Sequence, residues 1–281
     1  LLPKGSSAQT NSIKFADSLF AVHKYYEASI EYQRNIFYAN SVEEKAIATI
    51  SAAKSSLFLN NFEDANKTMK GFLYANVSDS IAIEARIIHS TCAYLAKDFE
   101  QALSQFFQLE FLKTDTQKTT QNRFLKALIL NELKRFTEAE IELKKWINNF
   151  NANTHFKDSL INWISEKYTK ENLPRLKSIR KAILLASFLP GFGHFYCKAY
   201  KEGAVNMLLM LSAITFTGVA VYYTYYVAGV VVGYGLFNRF QKGAIHRMDF
   251  LVDKYNYEAI RPFNRAVKDK IIEIQQLKKP M

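Results

Sequence analysis

The apolar positions of the first 150 residues recur at a fixed step. An aromatic residue stands three positions before an alanine at Tyr25/Ala28, Phe62/Ala65, Phe99/Ala102 and Phe136/Ala139, and each copy follows the last by 37 residues. Four positions after each alanine comes a large residue: Tyr32, Met69, Phe106 or Leu143. Twelve before it comes a small one: Ala16, Ala53, Ser90 or Ala127. A period of this length predicts pairs of helices joined by a tight turn and stacked in chain order, each pair burying the apolar face of the next. Solenoids of this kind present extended surfaces that bind other proteins.

The second half reads differently. From Gly203 to Asn238 there are 36 residues without Asp, Glu, Lys, Arg or His. One straight helix of that length would be about 54 Å long, against a hydrocarbon core of about 30 Å. Two shorter spans near 204–222 and 226–240 fit better, with the turn in Tyr222-Tyr223-Thr224-Tyr225-Tyr226, since tyrosine suits the membrane–water interface. The alternative is a buried helical hairpin in a large soluble domain. Amphipathic stretches flank the hairpin. Leu176, Ile179, Ile183 and Ala186 share a face before it, and Phe240, Ala244, Met248, Leu251 and Tyr255 form a stripe after it. A last helix is expected to begin at Pro262 and to carry Phe263, Val267, Ile271 and Ile274. Basic helices beside a span lie on anionic headgroups or pack on neighbouring helices. Phe156, Leu160, Trp163, Ile164 and Tyr168 predict a helix covering the end of the solenoid, broken by Asn172-Leu173-Pro174.

The repeat resembles the tetratricopeptide (TPR) family on these residues: Phe20-His23-Tyr25-Ala28, Leu57-Asn60-Phe62-Ala65, Tyr94-Lys97-Phe99-Ala102 and Asn131-Lys134-Phe136-Ala139. The family places a large residue, a glycine, an aromatic and an alanine around the turn between helices A and B. Here His23, Asn60, Lys97 and Lys134 hold the glycine's place. Asn and His tolerate a left-handed helix end, and Lys does so less readily. The family repeat is 34 residues, so the three extra residues are expected in each B helix or the loop after it. The resemblance covers about residues 11–150 and implies a peptide- or protein-binding groove lined mainly by A helices.

Before the charge-free run stands Pro190-Gly191-Phe192-Gly193-His194-Phe195-Tyr196, with Gly203 following. This lead-in resembles that of TM2-type domains, which have two membrane helices; the resemblance covers roughly 183–250 and implies a membrane module of poorly defined activity. Where the family often has another glycine after the tyrosine, this chain has Lys198. A phosphate-binding loop is not supported, because no apolar strand precedes the glycines and no Gly-Lys-Ser/Thr ends them. Pro190 is expected to stop a helix and the glycines to let the chain turn tightly. Gly229 and Gly233, four apart, permit a close helix contact, either within the hairpin or between subunits.

Charge sharpens the division. Residues 1–153 carry 18 Lys/Arg and 17 Asp/Glu, whereas residues 154–281 carry 19 and 9, so nearly all of the +11 lies in the second half. The balanced repeats have no electrostatic reason to seek nucleic acid. Candidate chemistry is sparse. Cys92 and Cys197 are isolated, so neither a zinc site nor a redox dithiol is indicated. His23, His89, His155, His194 and His246 make no His-x-x-x-His pair. Glu138, Glu140 and Glu142 read as a solvated helix surface. His194 is expected to bond a headgroup or the backbone rather than to move protons. No catalytic residue, cofactor or metal ligand is assigned.

Topology carries an internal conflict. Leu1-Leu2-Pro3 through Ser6-x-Ala8 resembles the tail of a secretory signal peptide, which would put the repeats outside the cytoplasm. The positive-inside rule argues the reverse. Lys177, Arg180, Lys181, Lys198 and Lys201 precede the hairpin, and Arg239, Lys242 and Arg247 follow it. The expected organisation is all-α: a possible signal remnant (1–8), a TPR-like solenoid (9–152), a capping helix and linker (153–174), a TM2-like transmembrane hairpin (175–250) and a C-terminal amphipathic helix (251–281). The chain also resembles envelope proteins of Bacteroidota-type bacteria. The expected role is a scaffold or adaptor at the bacterial inner membrane, with periplasmic repeats holding a protein or peptide and anionic lipids beside the hairpin. The alternative is an oligomeric conduit in which several copies associate through their hairpins.

Overall fold

The structure, a computed structural model, describes residues 6–111, 122–149 and 153–276, with side chains from Ser12 onward. Among the described residues every regular element is helical. The chain divides into two compact units at Lys170/Glu171. Of the expected signal remnant, residues 1–5 lie outside the described residues and 6–8 open the first helix.

In the first unit the helices are α1 Ser6–Ala21, α2 Tyr25–Tyr38, α3 Val42–Phe58, α4 Phe62–Lys70, α5 Asp79–Leu95, α6 Phe99–Phe111, α7 Arg123–Glu132, α8 Phe136–Asn148 and α9 Thr154–Lys167. Each packs chiefly on its neighbours in the chain. The 37-residue step survives changes in helix length because loop and helix trade residues. Helix α2 has 14 residues and a three-residue loop, whereas α4 has 9 and an eight-residue loop, so both sum to 17 before the next A helix. The residues expected in each B helix or the loop after it are thus divided differently from repeat to repeat. Ser41 caps α3 by accepting from the Glu44 N–H at 3.1 Å, and Glu44 reaches back to the Asn40 N–H at 3.2 Å, so two otherwise orphaned donors are satisfied.

The small residues meet where the helices cross. Ala28, Ala65, Ala102 and Ala139 are fully buried, as are Ala16, Ala53, Ser90 and Ala127 twelve positions earlier. The Ser90 hydroxyl donates to the Ala102 carbonyl at 2.9 Å, which fixes how closely helices A and B approach. Tyr32, Met69, Phe106 and Leu143 are all buried.

The turns explain the missing glycines. His23, Asn60, Lys97 and Lys134 all adopt left-handed backbone, with φ between 58° and 65°. At each, the next residue's N–H donates to the carbonyl five residues back: Lys24 to Leu19, Asn61 to Ser56, Asp98 to Ala93 and Arg135 to Leu130, at 2.8–2.9 Å. This Schellman closure satisfies the last carbonyls of the A helix. It offsets a left-handed cost of roughly 1–2 kcal/mol for a side-chain-bearing residue.

The second unit contains α10 Ile179–Phe188, α11 Phe192–Tyr196, α12 Tyr200–Tyr222, α13 Tyr226–Ala228, a π-helical segment Gly229–Tyr234 and α14 Gly235–Gln276. The segment from Tyr226 onward runs back along α12 as a return leg. Pro262 lies inside α14 rather than starting a helix, so the expected boundary there is wrong. Proline lacks the N–H that would bond the carbonyl of Glu258, yet the helix continues on both sides. The same corner recurs here twice. Lys198 and Thr224 have φ of 61° and 65°, and the N–H groups of Ala199 and Tyr225 donate to His194 and Ala220 at 2.9 and 2.8 Å. Two residues after each left-handed position an aromatic opens the next helix, Tyr200 or Tyr226, and three later stands a small residue, Gly203 or Gly229.

Candidate functional site

The lead-in motif is a packing knot. Gly191 has φ 79°, and a Cβ there would stand 2.5 Å from the Gly203 carbonyl oxygen. Its N–H donates to Asn206 Oδ1 at 3.2 Å, which occupies the one amide side chain of α12. A Cβ on Gly193 would meet the Ala182 carbonyl at 2.7 Å and Met248 Sδ at 2.8 Å, and one on Gly203 would meet the Phe195 ring at 2.5 Å. Tyr196 accepts through its hydroxyl from the Ser178 N–H at 3.1 Å. Pro190 follows Leu189, whose extended backbone ends α10. These residues thus tie α10, α11, α12 and α14 together, and none is free to act on a substrate. Phe195 and Tyr200 stack at 6.4 Å, as Phe20 and Tyr25 (5.1 Å) and Tyr94 and Phe99 (5.8 Å) meet at equivalent places in the repeats.

The two legs beyond this knot are unequal. Helix α12 has 23 residues and a mean hydropathy of 1.9, and only 17% of its apolar window is buried. By length and composition it can cross a membrane, and among the described residues no second helix qualifies. The buried-hairpin alternative requires enclosure, but Val205, Leu208, Leu211, Ile214, Phe216 and Val219 are all exposed. The return leg is charge-free only from Tyr226 to Asn238, 13 residues or about 20 Å. It packs closely because it lacks side chains at two points: a Cβ on Gly233 would stand 2.0 Å from Thr217 Oγ1, and one on Gly229 would stand 3.3 Å from Ala220 Cβ. The glycine pair therefore makes its close contact within one chain. The Arg247–Glu202 ion pair at 3.0 Å sets the level at the other end. Between these anchors Arg239 falls alongside about Met210, near the middle of α12, with an exposed side chain. The span expected at 226–240 is thus too short by itself.

In the first unit, exposed apolar side chains gather at the exits of α2 and α4. Phe37 and Tyr38 are exposed at the end of α2, and Val42 and Leu73 line a cleft of about 280 Å³ together with Ser41, Lys45, Thr49 and Phe72. A repeated polar pair lies deeper. Arg86 donates to Gln105 at 3.1 Å, and 37 residues on, Arg123 donates to Glu142 at 2.9 Å. Glu142 is buried and also meets Lys126 and Lys145, so it is no solvated surface carboxylate as the sequence suggested; Lys126 in turn bonds Glu110. Its three cations hold its carboxyl below the ordinary value against the opposing effect of burial. Glu138 and Glu140 do face outward, paired with Arg135 and Lys144.

The titratable groups singled out in the sequence lie in separate surroundings. His89 is buried against Tyr74 and Gln101 at 3.0 and 2.9 Å, and burial with Lys70 and Arg86 nearby pushes its pKa down to about 4. His194 is buried, its Nδ1 has no hydrogen-bond partner among the described residues, and burial lowers its pKa. Burial pushes the Cys92 thiol up to about 12, and Cys197 is also raised by burial. Among the described residues no three His, Cys, Asp or Glu side chains group to hold a metal ion.

Compared with protein-family models, curated proteins and solved structures, the chain has no match.

Proposed function

We propose that this protein is a membrane-anchored scaffold or adaptor of the bacterial envelope, with a TPR-like unit that holds a protein or peptide and a TM2-like hairpin that keeps the complex at the inner membrane. The observation that carries the reading is α12, 23 residues long and charge-free from Gly203 onward, yet mostly exposed. Leaving that surface in water would be costly at roughly 25 cal/mol per Å² of apolar area, and lipid removes the cost. The repeats supply the second support: four corners in phase and near-balanced charge. Assistance in assembly, insertion or secretion of envelope proteins is the setting that a held partner beside a membrane anchor suits.

Fractionation tests the anchor, and copurification tests the scaffold. The full chain should stay with membranes in high salt and in alkaline carbonate, because burial of apolar surface is insensitive to screening. Release by salt alone would reject integral anchoring. A partner captured by the intact protein in mild detergent should also bind a fragment ending at Lys170. Binding that needs only residues 171–281 would reject the repeats as the binding element, and a homo-oligomer with no other partner would favour the conduit.

A further inference from the structure

A cleft of about 690 Å³ opens at the end of α12 opposite the Tyr223–Tyr225 turn, just outside the charge-free run that starts at Gly203. Its walls are the first turn of α12 and the stretch 251–259 of α14, with the buried Cys197 at its floor. Three lysines line it: Lys198, Lys201 and Lys254. None makes an ion pair among the described residues. The wall residue Tyr255 is flanked by two amines: Lys198 Nζ lies 5.5 Å from its ring centre, and Lys177 Nζ, outside the cleft lining, lies 5.3 Å from it and 4.4 Å from that of Tyr196. The cleft's carboxylates do not balance these charges. Glu202 is taken bidentately by Arg247 at 3.0 and 3.1 Å, which leaves Glu258 against the three lining amines. The N–H groups of the first turn of α12 have no side-chain cap, because Ala199 holds the capping position. Uncapped N–H groups at a helix start favour an anion.

Holding unpaired cations together around one aromatic ring is unfavourable unless something negative relieves it. A solvated surface would let the lysines spread apart, whereas here the tyrosine rings gather two of them by cation–π contact. The position decides the source of the anion. If α12 enters a bilayer from Gly203 onward, the cleft stands at the headgroup layer, and the phosphate it meets at high local concentration belongs to lipid.

We propose that this cleft is a binding site for the phosphate of an anionic phospholipid headgroup, held by Lys198, Lys201 and Lys254 around the start of α12. The site rests on the membrane reading of α12. It would fix the depth and rotation of the hairpin and make anchoring depend on lipid composition.

The test uses the full chain. Reconstitution into phosphatidylcholine vesicles first checks the anchor alone, and failure to remain in them would overturn the membrane reading and the site together. Binding of phosphatidylglycerol and of phosphatidylcholine to the detergent-solubilised chain is then measured by native mass spectrometry. Preference for phosphatidylglycerol should fall about tenfold in Lys198→Gln/Lys254→Gln, should return in Lys198→Arg/Lys254→Arg, and should survive in Arg261→Gln/Arg265→Gln, which removes the same charge elsewhere on α14. Helical circular dichroism of each variant is compared with the parent, so that unfolding is separated from lost binding; the arginine pair tests the site even if the glutamine pair unfolds. An equal loss in both glutamine pairs would show general charge attraction and overturn the site. Inorganic phosphate is the remaining arm. If it binds as tightly as phosphatidylglycerol, the ligand is soluble phosphate and the lipid assignment falls.

Discussion

Arg239 is the point at which the hairpin should be most sensitive. Helix α12 is charge-free from Gly203 to Tyr222, 20 residues or about 30 Å, which matches a hydrocarbon core. The return leg offers about 20 Å before Arg239, so the guanidinium starts about 10 Å inside the edge set by Gly203. At a bilayer centre arginine costs about 2.5–3.5 kcal/mol on an insertion scale, and leucine contributes about −0.3 to −0.6. Arg239 is short of the centre, and its stem can carry the charge part of the way toward the headgroups. Arg239→Leu should therefore favour insertion of the return leg by about 2 kcal/mol, some 30-fold in the inserted-to-excluded ratio. Insertion of residues 223–245, placed as a test segment between two glycosylation acceptor sites, reads that ratio directly. Arg265→Leu in the full chain, outside both the leg and the lysine cleft, serves as the control and should not raise carbonate-resistant retention, whereas Arg239→Leu should. If Arg239→Leu leaves both readouts unchanged, the return leg is not in the hydrocarbon at that level, and the depth argument fails.

Three further outcomes are expected. His89 has a folded pKa near 4 against 6.5 for the free side chain, so the unfolded state binds the extra proton between those values; the first unit should lose stability as pH falls from 6.5 to 4, by at most about 3 kcal/mol, and His89→Gln should flatten a melting-temperature profile across that window. Ala65→Phe and Ala102→Phe should each destabilise the repeats by about 1–3 kcal/mol through overpacking at a fully buried crossing, and unchanged thermal melts in both would sink the repeat assignment. A cysteine at the exposed Lys67, in a chain with Cys92 and Cys197 replaced, should react with an impermeant thiol reagent added to the outside of spheroplasts; reaction only after lysis would place the repeats in the cytoplasm, as the positive-inside rule has it.

The repeat was legible because small and large residues at helix crossings are dictated by volume, and volume is written in residue type: Ala65 and Ala102 could be placed from spacing alone. The Schellman corners were half legible. His23 and Asn60 announce a left-handed turn, whereas Lys97, Lys134, Lys198 and Thr224 do not, because their conformation is imposed by the closing hydrogen bonds rather than by their own preference. Glu142 and Lys126 were misread or missed, since a charge on a helix surface becomes buried only when the neighbouring helix arrives with its partner. The return leg was over-read. Its apolar run joins that of α12 in the sequence, and only the pairing of Gly233 with Thr217 and Arg247 with Glu202 shows how far along α12 the charges fall. Pro262 was treated as a helix start by a local rule, which the long packed face of α14 overrides.

The recurrence of one corner in both units separates what shapes this chain from what gives it a function. Phe195-x-x-Lys198-x-Tyr200-x-x-Gly203 repeats the layout of Phe20-x-x-His23-x-Tyr25-x-x-Ala28, down to the left-handed residue, the paired rings and the small residue at the crossing. The difference lies four residues later. In the repeats that position is Tyr32, Met69, Phe106 or Leu143, each buried because a further helix stacks on it; after Gly203 it is Met207, which is 37% exposed. Helix α12, built by the same corner, is covered only in part by the return leg and α14, and its run from Gly203 to Tyr222 carries no charge. The corner therefore fixes helix geometry in both units, while the side chains beyond it determine how much apolar surface is left exposed.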